Sequence, residues 1–186
     1  MIKVMLIGDS IRMNYQAKVR EILQGQADIR SPEENSRFAA YTLFQLSSWV
    51  PDADYDVIHW NNGQWDVCYM PDGLIHTPLV VYLDLEKRIA NVLRRKAKRL
   101  IFATTTPVHP DQFETAKVNG RKNEDIMAYN QAVASELSAL GVEINDVHTA
   151  VAQDVMKHIS ADKVHLSPAG VELCAGLVSA AVLGRP

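Results

Sequence analysis

The chain has 186 residues, enough for a single domain over residues 1–186 with a substantial core, and its 47% apolar and 22% charged content is ordinary for a globular protein. A net charge of −3 offers no basic field for nucleic acid, and two distant cysteines, Cys68 and Cys174, suggest neither a disulfide framework nor a zinc knuckle. The opening residues lack the basic, long apolar and small-residue pattern of a signal peptide, and no apolar run approaches the ~18 residues of a membrane span, so a cytoplasmic protein without a membrane partner is expected.

The apolar run Ile2 to Ile7 predicts a buried strand that breaks at Gly8-Asp9-Ser10, with a helical pattern from near Met13. Helical spacing continues from Tyr15 to Gln24 and stops near Gly25. Ala27 to Arg30 reads as a second strand, and Ser31 to Ser36 as turn chemistry. An apolar face from Phe38 to Trp49 predicts a helix ending at Pro51. Tyr55 to Trp60 is a third strand, closed by Asn61-Asn62-Gly63. Thr77-Pro78 carries the signature of a cap followed by proline at the first helical position, and that helix is expected to reach about Lys98. Its basic run, Lys87 to Arg99, reads as a solvated face with cations at the negative end of the helix dipole. Arg99 to Thr104 is a fourth strand, and His109 to Lys122 the longest irregular stretch. Asn123-Glu124-Asp125 opens a helix that stops at Gly141, Val142 to Asn145 is a fifth strand, and Ser167-Pro168 starts a final helix to Leu183.

Strands alternating with helices, without an internal repeat, predict a three-layer α/β/α fold with a parallel sheet. Right-handed crossovers then bring the loops after the strands to one edge, where ligands of such sheets sit. A nucleotide site there would need a glycine-rich phosphate turn, but Gly8 stands alone and the next glycine is Gly25. The six histidines are scattered, and no HExxH pattern or cluster implies a metal. Neither cofactor nor metal is expected.

Asp162-Lys163-Val164-His165 sets a carboxylate and an imidazole three positions apart, just before the final helix. At that spacing the carboxylate can accept the Nδ1 proton and leave Nε2 as a base. By itself such a pair orders a helix entry, and Gly8-Asp9-Ser10 by itself is a helix cap. Together on one edge they make Ser10 a candidate nucleophile, because a serine hydroxyl needs a base to take its proton. Charge developing on an ester carbonyl oxygen also needs donors. The backbone N–H of Ser10, a side-chain amide from Asn61 or Asn62, and an N–H from the Asn35-Ser36 turn are the candidates.

These residues resemble the SGNH (or GDSL) hydrolases, serine esterases on a flavodoxin-like sheet, here of strand order 2-1-3-4-5. Gly8-Asp9-Ser10-Ile11 looks like their first block with Ile for Leu, and Asp162 to His165 looks like their last. The middle blocks depart from the family pattern. No glycine lies between Gly25 and Gly63, so Asn35 or Ser36 would have to supply the N–H of the usual oxyanion glycine. Aligning Gly63 and Asp66 with the third block puts Trp65 where asparagine belongs, so Asn62, with Asn61 second, is its replacement.

The resemblance implies a Ser10-His165-Asp162 triad acting through an acyl-enzyme on small acyl esters, such as acetyl groups on carbohydrate. Asn61, Gly63 and Trp65 would then border the substrate. Trp60, Trp65 and Tyr69 are candidates for stacking on a sugar, with core packing as the alternative. The 109–122 loop is either a cover for the site or simply surface. The rival reading is a catalytically silent module that binds a carbohydrate or small ligand on the same fold.

Overall fold

The computed structural model describes residues 1–51, 54–116 and 118–185. Among them, β1 (Ile2–Ile7), β2 (Ala27–Arg30), β3 (Tyr55–Trp60), β4 (Ala97–Ala103) and β5 (Glu143–Asn145) form a parallel sheet in the order β2-β1-β3-β4-β5. The helices are α1 (Ser10–Ile22), α2 (Ala39–Trp49), α3 (Leu79–Leu93), α4 (Gln112–Thr115), α5 (Asn123–Ala139), α6 (Val147–Ala152), α7 (Val155–His158) and α8 (Pro168–Val182).

The central strands read as unbroken apolar runs because both of their faces are covered. Met5 and Ile7 of β1, with Ile58 and Trp60 of β3 and Phe102 of β4, pack under α2, α3 and α5. Their neighbours Val4, Leu6, Val57 and Ile101 face the other way, against α1, α6 and α8. Fully burying one such side chain contributes roughly 1.5–3 kcal/mol, so alternation along these strands holds both helical layers. Trp60 is the largest fully buried side chain, and its indole Nε1 donates to Glu86 Oε2 at 2.9 Å.

Several expected boundaries move. α1 begins at Ser10 rather than near Met13, because Asp9 caps it by accepting from Ile11 N. α3 begins at Leu79 and stops at Leu93, and β4 starts at Ala97. Thr77 does not cap α3: its hydroxyl lies 2.8 Å from His76 Nδ1, and its N–H donates to Asp66 O at 3.0 Å. The basic run therefore straddles a helix, a turn and a strand instead of forming one helix face. Arg94 is bonded to the Leu140 carbonyl, Lys98 pairs with Asp56, and Arg99 with Glu143. The 109–122 stretch contains the short α4, and α6 and α7 add helical turns that were not expected before α8. Position 117 of that stretch lies outside the described residues. No helix among the described residues is long and apolar enough to cross a membrane.

Candidate active site

Register brings the first two elements of the site together. Ile7 of β1 pairs with Trp60 of β3, so Gly8 and Asn61 leave the sheet side by side, and Asn61 N donates to Ile7 O at 3.1 Å. A Cβ on Gly8 would lie 2.0 Å from Asn61 Oδ1 and 2.7 Å from Arg12 Cβ, so the turn requires glycine. Buried Asp9 accepts from Ile11 N at 2.9 Å and from Asn61 Nδ2 at 2.8 Å through Oδ1. Burial raises its pKa, with the bonds from Asn61 and Ile11 opposing. Capped in this way, α1 presents Ser10 at its first residue.

The other half of the site comes from the segment between α7 and α8. An antiparallel bridge between Ile159 and Leu166 closes it into a tight bracket, in which Ser160 N donates to His165 O at 2.7 Å. Lys163 takes a left-handed conformation (φ 74°) at its tip. Leu166 N donates to Asn14 Oδ1 at 3.2 Å, which ties the bracket to α1 one turn beyond Ser10. The Ser167 hydroxyl then caps α8 by accepting from Gly170 N, with Pro168 in the first turn.

Between these halves, Asp162 Oδ2 lies 2.6 Å from His165 Nδ1, and His165 Nε2 lies 2.8 Å from Ser10 Oγ. With Nδ1–H donating to the carboxylate, Nε2 is the acceptor for the Ser10 hydroxyl, a tautomer assigned from the hydrogen-bond network. Partial burial works against the Asp162 charge. Hydrogen bonds from Val164 N, His165 N, the His165 ring and the Ser160 hydroxyl outweigh it and hold the carboxyl well below the usual carboxylate range. The group that orients the histidine is thus an anion throughout the neutral range.

A cavity of about 210 Å³ opens over this row, lined by Ser10, Gln64, Trp65, Arg121, Asp162, Val164 and His165. Gln64 and Trp65 come from the loop after β3, and Arg121 from the segment before α5. Two asparagines of α5 hold the chain after β4: Asn130 exchanges bonds of 2.8 Å with Thr105 N and O, and Asn123 bonds of 3.0 Å with Val108 N and O. The 109–122 stretch also meets the bracket, through His109 N to Lys163 O at 3.0 Å and Lys163 Nζ to Asp111 Oδ2 at 3.0 Å.

The expected oxyanion donors from the middle of the chain fare differently. Asn62 is fully buried, and its Nδ2 donates to Thr42 Oγ1 at 2.8 Å and Arg37 O at 3.4 Å. It braces the start of α2 rather than facing Ser10. Ser36 is also fully buried: its N–H donates to Gly8 O and its hydroxyl accepts from Gly8 N, both at 3.1 Å. That double bond clamps the Ser10 turn but leaves no Ser36 N–H for a ligand. The Asn35 carboxamide oxygen accepts from Arg37 N at 2.7 Å, while the Asn35 N–H has no partner among the described residues. Asn61 Nδ2 serves Asp9, so Asn61 acts as an internal brace. Gly63 (φ 136°) is pressed against Thr105, where a Cβ would fall 1.9 Å from Oγ1. Of the residues proposed to border the substrate, Trp65 alone lines the cavity.

Trp60 is in the core and is unavailable to a sugar. Tyr69 packs edge-on to Phe113, donates to Asp125 Oδ2 at 2.9 Å, and lines a separate cavity. Gln64 and Arg121 were not foreseen, since a lone glutamine and a loop arginine carry no local pattern. Arg121 Nε donates to Gln64 O at 2.6 Å and Nη1 to Asn119 O at 2.8 Å. Burial lowers its pKa, with Cys68 and Asp9 opposing, yet a guanidinium stays charged. Among the described residues, no group of histidine, cysteine and carboxylate side chains is arranged to hold a metal.

No protein-family model matches the sequence, and no curated protein matches it. Solved structures do. A lipase/acylhydrolase from Enterococcus faecalis is similar at 18% identity and a TM-score of 0.81, over 99% of this chain and 96% of that one. The acetyl xylan esterase AlAXEase is similar at 17% identity and a TM-score of 0.80, over 97% of this chain and all of that one. An acetylxylan esterase from Geobacillus stearothermophilus is similar at 18% identity and a TM-score of 0.76, over 100% of this chain and 95% of that one. With the strand order and the end-to-end coverage, these matches give the chain the fold of the SGNH/GDSL hydrolases.

Proposed function

We propose that the protein is a serine esterase of small acyl esters, with acetyl esters of carbohydrate as its substrate class. The observation that carries this reading is the continuous row from Asp162 through His165 to Ser10, at 2.6 and 2.8 Å. Ser10 Oγ attacks the acyl carbonyl while its proton passes to His165 Nε2. The tetrahedral intermediate collapses, the bond to the alcohol oxygen breaks, and His165 returns the proton to that oxygen. Water, deprotonated by the same nitrogen, then attacks the acyl-enzyme and releases the acid and Ser10. Asp162 keeps the imidazole in the working tautomer and stabilises its positive charge during transfer.

The size of the cavity suits a short acyl group, and Trp65 offers a ring at its wall for the alcohol part. The fold shared with two acetylxylan esterases supports the same class. The silent binding module keeps one argument, the commitment of Asn62 and Ser36 to internal bonds.

Hydrolysis of p-nitrophenyl acetate separates the two. Turnover that falls by at least about 10³-fold in Ser10→Ala, with fluorophosphonate labelling located at Ser10, is the expected result. A wild-type chain that neither hydrolyses short esters nor takes the label excludes the esterase.

A further inference from the structure

The serine, base and orienting acid form one row, but most of the donors expected to receive the oxyanion from the middle of the chain are spent on internal bonds, and only the Asn35 N–H and one N–H of Asn61 Nδ2 have no partner among the described residues. Ser36 N–H is held by Gly8 O, Asn62 Nδ2 by Thr42 and Arg37, and Asn61 Nδ2 by Asp9. An acyl-transfer site with few preorganised donors forfeits part of what is usually the largest single contribution to its rate. The cavity above Ser10 contains one cationic side chain that the reaction as described leaves unused.

That side chain is Arg121. It is only 9% exposed, and it lines the cavity together with Ser10 and His165. Two of its donors are pinned to main-chain oxygens, Nε to Gln64 O and Nη1 to Asn119 O, which fixes the plane of the guanidinium. Nη2 makes no hydrogen bond among the described residues. It is also absent from the sealed, unpartnered polar atoms, which include Asp9 Oδ2 and Gln64 Oε1. Its unused N–H groups therefore face accessible space, and Arg121 lines the cavity over Ser10. Arg121 makes no ion pair with a carboxylate among the described residues, although Asp9 is near enough to favour its charged form.

We propose that Arg121 is a catalytic residue that donates from Nη2 to the carbonyl oxygen of the ester, completing an oxyanion hole with the backbone N–H of Ser10. A guanidinium held at two points needs little reorganisation when charge appears on the substrate. Its donors, being charged, are stronger than neutral ones. The proposal rests on the esterase reading above and adds a charged donor to it.

The test is steady-state hydrolysis of p-nitrophenyl acetate by the wild-type chain, Arg121→Gln, Arg121→Met and Arg121→Lys, with thermal unfolding measured for each. The expected result is a kcat lowered about 10²–10³-fold in Arg121→Gln and Arg121→Met, with KM within about threefold. Arg121→Lys, which keeps the charge but not the two-point tether, is expected to regain at least about tenfold of that loss. A folded Gln or Met variant with kcat within about threefold of wild type overturns the proposal. So does a loss carried by KM, which marks a binding site for an anionic substrate group. A lysine variant no better than glutamine overturns it too, since the arginine is then a tether for Gln64. Each of these leaves Ser10 labelling and wild-type turnover intact, whereas an unlabelled, inactive wild-type chain removes both readings.

Discussion

The 162–165 bracket and the interior beneath the loop after β3 both hold carboxylates and treat them in opposite ways. Asp162 is half-exposed and receives hydrogen bonds from two backbone N–H groups, a serine and a histidine, so its negative form is favoured. Glu86 is sealed in the core with one indole donor for Oε2 and none for Oε1, and burial pushes its pKa up to about 8. Asp66, nearly as deeply buried, accepts from Ala39 N through both oxygens and still rises to about 7. Donor count and access to water, rather than residue type, decide which carboxylate is charged at neutral pH. The charge suited to orienting a base lies at the sheet edge, and the interior acids govern stability instead.

The strongest way to break this contrast is to remove the charge at the edge. Asp162→Asn leaves a side chain of the same shape but favours the wrong histidine tautomer. Its expected effect is a fall in kcat of about 10³–10⁴-fold on a short acyl ester. Thermal unfolding should show a small change beside that loss, because the residue is exposed. A kcat within tenfold of wild type would mean that His165 needs no orienting acid.

A smaller effect, felt by both regions, is expected from Gly8→Ala. The added methyl would meet Asn61 Oδ1 and Arg12 Cβ, in a turn clamped from the other side by Ser36. Overpacking of this kind costs about 1–3 kcal/mol, or roughly 2–4 °C of Tm per kcal/mol in a chain of this size. Because Ser10 is two residues away, activity should fall with stability. A variant with unchanged Tm and activity would show that the close packing of Gly8 against Asn61 matters little.

The same contrast explains what the sequence disclosed. Alternating buried runs and cap residues are local signals, and they were enough for the strands and for most helices, whereas the sheet order followed from the family resemblance. The Asp162–His165 contact is local too, spanning three residues, and Ser10 stands at a recognisable strand end. Oxyanion donors are different, because whether an amide is free depends on partners far along the chain. Asn62 looks available until Thr42 is seen beside it, and Ser36 until Gly8 is. Arg121 has the reverse history: its place beside Gln64 arises from the path of the 109–122 stretch, which α5 fixes through Asn123 and Asn130. α6 and α7 escaped notice because each is short and lacks a full amphipathic repeat.

The smallest expected effect concerns the interior, and its sign follows from linkage. A carboxyl whose folded pKa is raised contributes stability that is complete below its unfolded value, 4.5 for Glu86, and is lost as pH rises through about 8. Asp66 acts in the same direction between 3.8 and about 7. Glu86→Gln keeps an oxygen for the Trp60 indole and cannot ionise, so it resembles the protonated glutamic acid at every pH. At about pH 4 the variant and wild type should unfold within about 2 °C of each other. Toward about pH 8.5 the wild type should lose Tm more steeply, leaving the variant ahead by several degrees. The difference in slope is the observable, since the amide leaves an unpartnered N–H at all pH values, as the neutral acid leaves its O–H. Parallel pH profiles for the two proteins would show that Glu86 finds solvent or a proton donor that offsets its burial, and that the interior supports a charge as readily as the edge does.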